Sequence, residues 1–393
     1  MSEWIECKLG DLINEGTAKL QTGPFGTMLN ASEYVSNGIP VIAVQDIADN
    51  KLIHHKFVYV DIETASRLSR YCVKENDIIF GRKGAVERRA IIKKSEEGWL
   101  QGSDCIRLRF TELIYPQFIS YQFGSQMYKD WMAQNSTGAT MPSLNQDVLK
   151  QLPIRFPTFS EQKSIAQVLS SIDNKIDLLH RQNATLEAMA ETLFRQWFVE
   201  EAKEDWEVKP LSSIANFLNG LACQKFPPEN AIDRLPVLKI KELGSDISEN
   251  SDWASTDVKS EYFVRNGDVI FAWSASLMVK IWTGKDCILN QHLFKVTSKV
   301  YPKWFYYLWC KHHLAEFISI SRSHATTMGH IKRGDLDEAM VLVPLDDELK
   351  IMATSIQPIM DKLIINNKQI RTLTTLRDTL LPKLMSGEVR VKM

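Results

Sequence analysis

The sequence predicts an α+β protein in which one plan occurs twice, a mixed α/β globule followed by a long helix. Three observations support this prediction. The chain repeats its own motifs in order, each half opens with short β-rich stretches, and each half closes with a long amphipathic segment. At 393 residues the chain is also too long for one ordinary hydrophobic core, so two or more domains are expected.

An internal repeat relates the two halves. Matched segments follow in the same order: Trp4 recurs as Trp206, 39–42 as 235–238, 71–80 as 262–271, Tyr115 as Tyr301, and Met141 as Met328. The offset between matched residues falls from 202 through 196 and 191 to 186, then settles at 187 and stays there through the end of each half. A changing offset indicates loops of unequal length, whereas a constant offset indicates a segment whose length matters.

Short strands and helices are expected in each globule. In the first globule the strand-like stretches are 38–47, 77–80, 90–92 and 104–110, which are β-branched or aromatic and are bounded by Gly, Asn and Pro. Helices are expected over 116–134 and 302–320, because both segments open on a proline. The predicted domains are a first globule (1–157), a first long helix (158–201), a second globule (202–344), a second long helix (345–387) and a tail (388–393).

The two long helices have the pattern of a coiled coil. Apolar residues recur at steps of three and four, and each seam contains one polar residue, Asn183 in the first helix and Asn366 in the second. An antiparallel pairing with Asn183 facing Asn366 leaves only Ile172, opposite Arg377, as a mismatch. A parallel pairing would bury two unpaired amides, at about 1–3 kcal/mol each. Such a helix can also lie on its own globule, but two of matching length favour an antiparallel pair, with register set by the two asparagines and the globules at opposite ends.

Composition and charge limit the possible functions. The net charge of −1 is unusual for a simple nucleic-acid binder, so any DNA binding must come from local basic patches or from partners. No apolar run is long enough to cross a membrane and the first residues contain no apolar signal core, so we expect a cytoplasmic protein. The six cysteines have neither C-x-x-C spacing nor clustering, which predicts neither a disulfide frame nor a metal site. No Walker A or amino-methyltransferase motif occurs, so we expect no catalytic residues.

Several segments resemble those of the specificity subunits of type I restriction–modification systems. In chain order they are 21–26, 77–80, 136–141, 153–157, 161–163, 268–271, 290–294 and 380–388. The resemblance covers essentially the whole chain, and the order of the segments is more specific than any one of them. There are two departures: Glu348-Leu349-Lys350 stands where the first half has Glu161-Gln162-Lys163, and 323–328 differs from 136–141.

This resemblance implies a role and a set of partners. Each globule would be a target recognition domain that reads one half of an asymmetric bipartite site in double-stranded DNA. The helices would set the gap between the halves and dock two modification (methyltransferase) subunits, and restriction (translocase and nuclease) subunits would join for cleavage. S-adenosylmethionine, ATP and Mg²⁺ would be bound by those partners, and no cofactor is expected in this chain.

Candidate DNA contacts can be named because base and phosphate recognition needs cationic, amide or hydroxyl side chains on loops. In the first globule the candidates are Arg82, Lys83, Arg88 and Arg89, in a loop after a strand, together with Ser136, Thr137 and Thr140. The aligned segment of the second globule, 272–276, has no cation, so the candidates there are Asn290, Gln291, His292, Arg322, His324 and Lys332. For each set the alternative is a structural role, as a solvated turn, a cap or a turn former.

Two alternative functions remain open on the sequence. The chain could serve a type II-like enzyme whose partner fuses methyltransferase and nuclease, which neighbouring reading frames would reveal. It could also be a coiled-coil scaffold that joins two protein-binding globules. The near-neutral charge favours the scaffold, and the basic segment 82–89 disfavours it.

Overall fold

The computed structural model describes residues 4–53, 57–138, 141–323 and 329–391. The chain forms two compact units, Met1–Asn174 with Thr375–Met393, and Lys175–Thr374. Each unit therefore contains one globule and part of both long helices. No helix in the described ranges is long and apolar enough to span a membrane.

The strands and helices of the first unit are short, apart from the helix that leaves it. The strands are β1 (Ile5–Lys8), β2 (Ala18–Thr22), β3 (Tyr34–Val35), β4 (Ile39–Ile42), β5 (Asp49–Asn50), β6 (Val58–Val60), β7 (Ile78–Gly81), β8 (Arg89–Ile91), β9 (Leu100–Gln101), β10 (Cys105–Phe110) and β11 (Pro153–Phe156). The helices are α1 (Leu9–Asn14), α2 (Ile62–Arg67), α3 (Pro116–Phe123), α4 (Gln126–Asn135), α5 (Gln146–Lys150) and the start of α6 (Phe159–Arg195). The strands form a five-stranded sheet with the order β2-β10-β7-β8-β5, a four-stranded sheet with the order β3-β6-β4-β9, and a two-stranded ribbon β1-β11.

The second unit follows the same plan. Its strands are β12 (Glu207–Pro210), β13 (Asn216–Asn219), β14 (Arg234–Leu238), β15 (Trp253–Ser255), β16 (Phe263–Val264), β17 (Val269–Ala272), β18 (Met278–Ile281), β19 (Cys287–Leu289), β20 (Leu293–Thr297) and β21 (Met340–Val343). Its helices are α7 (Leu211–Ile214), α8 (Ile240–Ser245), α9 (Lys303–His312), α10 (Leu314–Ser323), α11 (Arg333–Glu338) and most of α12 (Asp346–Ser386). The sheet β13-β20-β17-β18 matches β2-β10-β7-β8 strand for strand, which confirms the predicted repeat.

Each globule shares its hydrophobic core with both long helices. In the first unit the buried residues of β7, β10 and α3 pack in one cluster with Ile165 and Leu169 of α6 and Leu384 of α12. In the second unit an aromatic core around Trp304 includes Phe194 of α6 and the α12 residues Ile356, Ile359 and Leu363. A globule and its helix segments therefore pack as one body in each unit.

The long helices run antiparallel, as predicted. The start of α6 packs with the end of α12 in the first unit, and in the second unit Asn366 Nδ2 donates to Asn183 Oδ1 at 3.0 Å. A second bond was not expected: Asn183 Nδ2 donates to Asn367 Oδ1 at 2.7 Å. Asn366 Oδ1 is buried and accepts no hydrogen bond from the described residues, so the two predicted asparagines do not satisfy each other alone.

Three local expectations were wrong in detail. The stretch 38–47 is a strand only to Ile42, because the Asp46 carboxylate accepts the Ala43 N–H at 2.8 Å and closes a 3-10 turn. The helix expected over 116–134 breaks at Gly124, where a Cβ would lie 2.0 Å from the Arg89 guanidinium. The helix expected over 302–320 likewise divides into α9 and α10.

Arg377, the expected mismatch opposite Ile172, is accommodated beside the seam. Its guanidinium Nη1 lies 3.1 Å from Asp173 Oδ1, and the Tyr121 hydroxyl donates to the other oxygen of the same carboxylate at 2.7 Å. Ile172 itself is buried. The charge of Arg377 therefore pairs with Asp173, the residue next to the seam position.

Candidate nucleic-acid interface

Antiparallel pairing gathers several loops at one edge of the main sheet of the first unit. Because β10 pairs antiparallel with both β2 and β7, the ends of β2 and β7 lie beside the start of β10. We call the loops that meet there the first loop edge: 23–28, 82–88, 102–104, and 136–138 with 141–144. At its base Gly23 packs so closely on Gly102 that a Cβ would lie 1.9 Å from the Gly102 carbonyl oxygen.

Backbone hydrogen bonds hold the segment that carries the predicted cations. Arg82 N donates to Asp104 O at 2.8 Å, and Leu144 N donates to Arg82 O at 2.8 Å. Gly84 N donates to Pro142 O at 2.9 Å, and Thr137 and Ser143 exchange bonds of 2.9 and 2.7 Å. The structure therefore brings Arg82, Lys83 and Thr137 together on one surface and fixes their main chains.

The charged side chains of the first loop edge point outward. The Arg82 guanidinium lies 4.8 Å from the centroid of the half-exposed Phe25 ring, a cation–π contact. Lys83 Nζ is 3.3 Å from Asp104 Oδ1, and both side chains are about half exposed. Arg88 is also exposed. Phe25 and Asp104 were not predicted, because neither is a cation or an amide.

Arg89 is a correction to the predicted contacts. It is only 2% exposed; its Nε donates to Ser120 O at 2.5 Å, and its Nη1 forms an ion pair with Asp49. Burial lowers the pKa of Arg89, and Asp49 opposes that shift. Arg89 therefore holds strand β5 and helix α3 to β8, and it is not available to DNA.

The predicted hydroxyl contacts, Ser136, Thr137 and Thr140, differ in whether they fit a DNA contact or a structural turn. The Ser136 hydroxyl donates to Ala133 O at 2.9 Å at the end of α4, which fits a turn former. Thr137 is exposed, and its hydroxyl donates to Ser143 O at 3.2 Å. Thr140 lies outside the described residues.

The second unit has the same backbone arrangement at the matching positions. Trp273 N donates to His292 O at 3.4 Å, Ile331 N to Trp273 O at 3.0 Å, and Ala275 N to Gly329 O at 2.8 Å. These bonds reproduce those of Arg82, Leu144 and Gly84. We call the loops 220–223, 273–277, 290–292 and 329–331 the second loop edge. Trp273 thus occupies the position of Arg82, and His292 that of Asp104.

The second loop edge presents aromatic and amide side chains and contains no lysine or arginine, whereas the first loop edge has Arg82, Lys83 and Arg88. The Trp273 indole stacks on Phe294 with centroids 5.6 Å apart, lies 5.9 Å from the His292 ring, and donates to Asn219 Oδ1 at 3.2 Å. His292 Nδ1 is 3.2 Å from Ser274 Oγ, and its Nε2 is 3.3 Å from Gln291 Nε2. His292 and Gln291 thus meet here as predicted candidates.

On the second loop edge the sequence did not suggest Trp273, Ser274 or His330, nor did it suggest Asn219 at the adjoining end of β13. The ring centroid of His330 lies 6.4 Å from that of Trp273. The segment 272–276 had been set aside because it contains no cation. The repeat alignment with Arg82 was the signal that could have identified Trp273.

Asn290 is a second correction. It is 5% exposed, its amide oxygen accepts the His292 N–H at 3.4 Å, and its carbonyl packs against Gly220, where a Cβ would lie 2.3 Å away. This is the structural role that the sequence left as the alternative. Arg322, at the end of α10, and Lys332, just before α11, are exposed, whereas His324 lies outside the described residues.

The described residues contain no group of three His, Cys, Asp or Glu side chains that could hold a metal ion. The cysteines are free thiols, and burial raises the pKa of Cys105 to about 12. Such a thiol stays protonated near neutral pH and is a poor nucleophile.

Comparison with known proteins identifies the family. The model of the type I restriction modification DNA specificity domain matches residues 1–188 and again 203–375. The chain therefore belongs to the family of type I restriction–modification DNA specificity proteins, with one such domain in each half.

Individual relatives match over most of their length. The chain is 27% identical to the specificity subunit of the type I restriction enzyme MjaIX from Methanocaldococcus jannaschii, over 92% of this chain and 89% of that protein. It is 18% identical to the HindI specificity subunit from Haemophilus influenzae, over 99% and 100%. A crystal structure of the S subunit of a type I system from M. genitalium has the same fold, with a TM-score of 0.63 and 15% identity over 100% of this chain and 97% of that one.

Proposed function

We propose that this chain is the DNA-recognition subunit of a type I restriction–modification enzyme, and that each globule reads one half of an asymmetric bipartite site. One observation carries the asymmetry. The two loop edges share their backbone hydrogen bonds, yet Arg82, Lys83 and Asp104 stand where the second edge has Trp273, Ser274 and His292. One scaffold that presents two sets of side chains suits two different half-sites.

The chemistry of each edge supports a mode of reading. Arg82 can make the bidentate contact with guanine that arginine favours in the major groove, and exposed Lys83 and Arg88 can neutralise phosphates. On the second edge Gln291 and His292 offer amide and imidazole donors beside the Trp273 ring. Arg322 and Lys332 are the cations that we assign to phosphates there.

The long helices support a second role, the docking of other subunits. Outside the cores they leave large apolar side chains 39–69% exposed: Leu178 and Met189 on α6, and Ile351, Ile365 and Leu376 on α12. Exposed apolar surface can mark a protein–protein contact site where it is contiguous, and these side chains are the ones that we assign to subunit contacts. We propose that two modification subunits dock there and that restriction subunits join them. S-adenosylmethionine, ATP and Mg²⁺ would be bound by those partners, and the complex would act in the cytoplasm, where the DNA lies.

The two alternatives gain no comparable support. The relatives found are named as subunits of type I enzymes, not of fused type II-like enzymes. A protein scaffold would not require two loop edges with matched main chains and different polar side chains. The family match over both halves also concerns DNA specificity domains.

The proposal is tested by methylome sequencing of the host with and without this gene. The expected result is loss of one methylated motif that has two different half-sites separated by a fixed gap. A palindromic motif would contradict the asymmetry. No change in methylation, in a strain that expresses the methyltransferase subunit, would contradict the proposed function itself.

A further inference from the structure

The first unit contains a cavity of about 470 Å³ with a strongly basic lining. Lys19 of β2, Arg107 and Arg109 of β10, and Arg70 and Lys74 of the segment before β7 contribute five cations, whereas Glu97 is the acid among the lining residues. We call it the basic cavity. It lies on one face of the sheet whose end forms the first loop edge.

The positive charge of the basic cavity exceeds what the nearby acids neutralise. Asp77 accepts two bonds of 2.6 Å from Arg109 and lies 3.8 Å from Arg107, so two guanidinium groups share one buried carboxylate. Glu97 pairs with Lys94, outside the cavity. Lys19 and Lys74 are exposed, and neither forms an ion pair within the described part of the chain.

Part of this arrangement is structural. The Arg107 guanidinium donates to Cys72 O at 2.7 Å and to Arg70 O at 3.1 Å, which fixes the segment that covers the sheet. Burial lowers the pKa of Arg107; Asp77 opposes the shift and Arg109 adds to it. A cation at the Arg107 position is therefore explained by the fold.

Comparison with the second unit shows which cations of the basic cavity recur at the matching positions. Gly23 N bonds Cys105 O and Gly220 N bonds Leu293 O, so the strand registers match and Lys295 corresponds to Arg107. Lys295 makes the same contacts, with Phe263 O and Asp268 both at 2.8 Å. At the positions of Lys19, Arg70 and Arg109, however, the second unit has Asn216, Glu261 and Thr297. The second unit folds without cations at these three positions, so the shared fold does not require them. In the first unit Arg109 is held by Asp77, whereas Lys19 and Arg70 are exposed and form no ion pair with the described residues.

We propose that the basic cavity binds phosphate groups of the DNA backbone that flanks the first half-site; this inference rests on the proposed function. Gln21 lines the cavity and lies two residues before Gly23 of the first loop edge. Lys19 precedes Gln21 by two residues in β2 and is therefore about 7 Å farther from the loop edge, at the rise of a strand. A duplex that crosses the loop edge and continues over this face of the sheet would bring several phosphates along the cavity, because it carries one charge per roughly 1.7 Å of its axis.

The test uses the full chain with its methyltransferase subunits, and a duplex that carries the motif methylated by the wild-type complex. Lys19→Asn combined with Arg70→Gln removes two exposed cations and leaves Arg107, Arg109 and Asp77 intact. Each lost phosphate contact flattens the plot of log affinity against log salt by about 0.9. The wild type should therefore lose about 12-fold more affinity than the variant between about 50 and 200 mM salt, while the motif stays unchanged.

A matched control is Lys299→Asn combined with Lys303→Gln. Both lysines lie beyond the end of β20, away from the second loop edge, so this variant should keep the salt dependence of the wild type. A duplex that ends at the first half-site should lower wild-type affinity and have little effect on the Lys19/Arg70 variant. If the wild type binds its motif but the variant keeps the same slope, the inference is wrong and the function stands. Inorganic phosphate could instead stabilise the wild type but not the Lys19/Arg70 variant, while removal of the flanking DNA leaves the affinity unchanged. That result would assign the cavity to a free anion and overturn the DNA assignment. If the wild type shows no specific binding, the proposed function fails.

Discussion

Single residues at equivalent backbone positions differ between the loop edges, and this difference is where specificity should lie. Arg82 and Trp273 share their hydrogen-bonding pattern but offer a cation in one globule and an indole in the other. The Arg82 guanidinium lies against the half-exposed Phe25 ring. Side chains held by a fixed main chain lose little entropy when they meet a base, which favours recognition at these positions.

Substitution of the first-edge cations should affect one half-site only. Arg82→Ala combined with Lys83→Ala removes a base contact worth about 1–3 kcal/mol and a phosphate contact. The methylated motif should become relaxed or weakened in the half that the first globule reads and stay intact in the other half. Sequencing the methylome of the variant strain measures both halves at once. Equal loss in both halves would contradict the division of labour.

Arg89 should behave differently from its neighbour Arg88. Arg89→Met leaves Ser120 O without its donor and removes the Asp49 ion pair, so the free energy of unfolding should fall by about 1–3 kcal/mol. The motif should stay the same, since Arg89 is buried. Arg88→Met is the matched control, because Arg88 is exposed and its loss should leave thermal unfolding unchanged. A changed motif in the Arg89 variant would return this residue to the interface.

The contrast between Arg88 and Arg89 shows why the sequence could not identify the site fully. Arg88 ends the loop and Arg89 begins β8, and the sequence alone does not say where the loop ends or which arginine turns inward. The partners that bury Arg89, Asp49 and Ser120, are 40 and 31 residues away. Charge also proved too narrow a criterion, since it omitted Trp273.

The long helices were more predictable because their pattern is local and repeats over many turns. The antiparallel asparagine contact followed from the seam alone, although the bond to Asn367 did not. The start of α6 depends on a contact that only the fold reveals. Gln162 is fully buried; it accepts the Tyr115 N–H at 2.8 Å and donates to Leu113 O and Pro157 O at 3.1 and 3.0 Å. Leu349 stands in its place in the second half and packs in the core.

Loss of this amide should destabilise the first unit. Gln162→Ala leaves one N–H and two carbonyl groups without partners, and each such buried group costs about 1–3 kcal/mol. The first unit should unfold at a clearly lower denaturant concentration, which hydrogen exchange of its amides would resolve from the second unit. Lys163→Ala, one residue farther on and exposed, should cause no change. Equal stability of the two variants would show that water replaces the amide.

At the scale of the whole molecule, the proposed function requires a chain of net charge −1 to concentrate cations where DNA would pass. The first loop edge and the basic cavity do this on one globule, while the second loop edge depends on aromatic and amide groups. Each globule also shares its core with segments of both helices. A change in helix length should therefore shift a globule as one body and leave its loop edge intact.

The proposed spacing function predicts that helix length sets the gap between half-sites. Duplicating residues 184–187 after Asn183 and residues 362–365 before Asn366 repeats Leu186 and Leu363, which share one core, and keeps the asparagine contact. Four added residues lengthen a helix by about 6 Å and rotate it by a net 40° or so. One base pair rotates B-DNA by about 35°, and two extend it by about 7 Å, so the preferred gap should grow by one or two base pairs.

The measurement is the methylated motif of this matched variant, in which both half-site sequences should stay unchanged. Duplication in α6 alone is the control, because it shifts the apolar layers that follow Asn183 out of register with α12 while the layers before it stay paired. That control should lower thermal stability and the binding of methyltransferase subunits before it alters any gap. An unchanged gap in a folded matched variant would mean that the helices serve only as docking surfaces, since the 6 Å added between the globules would have had no effect on the DNA.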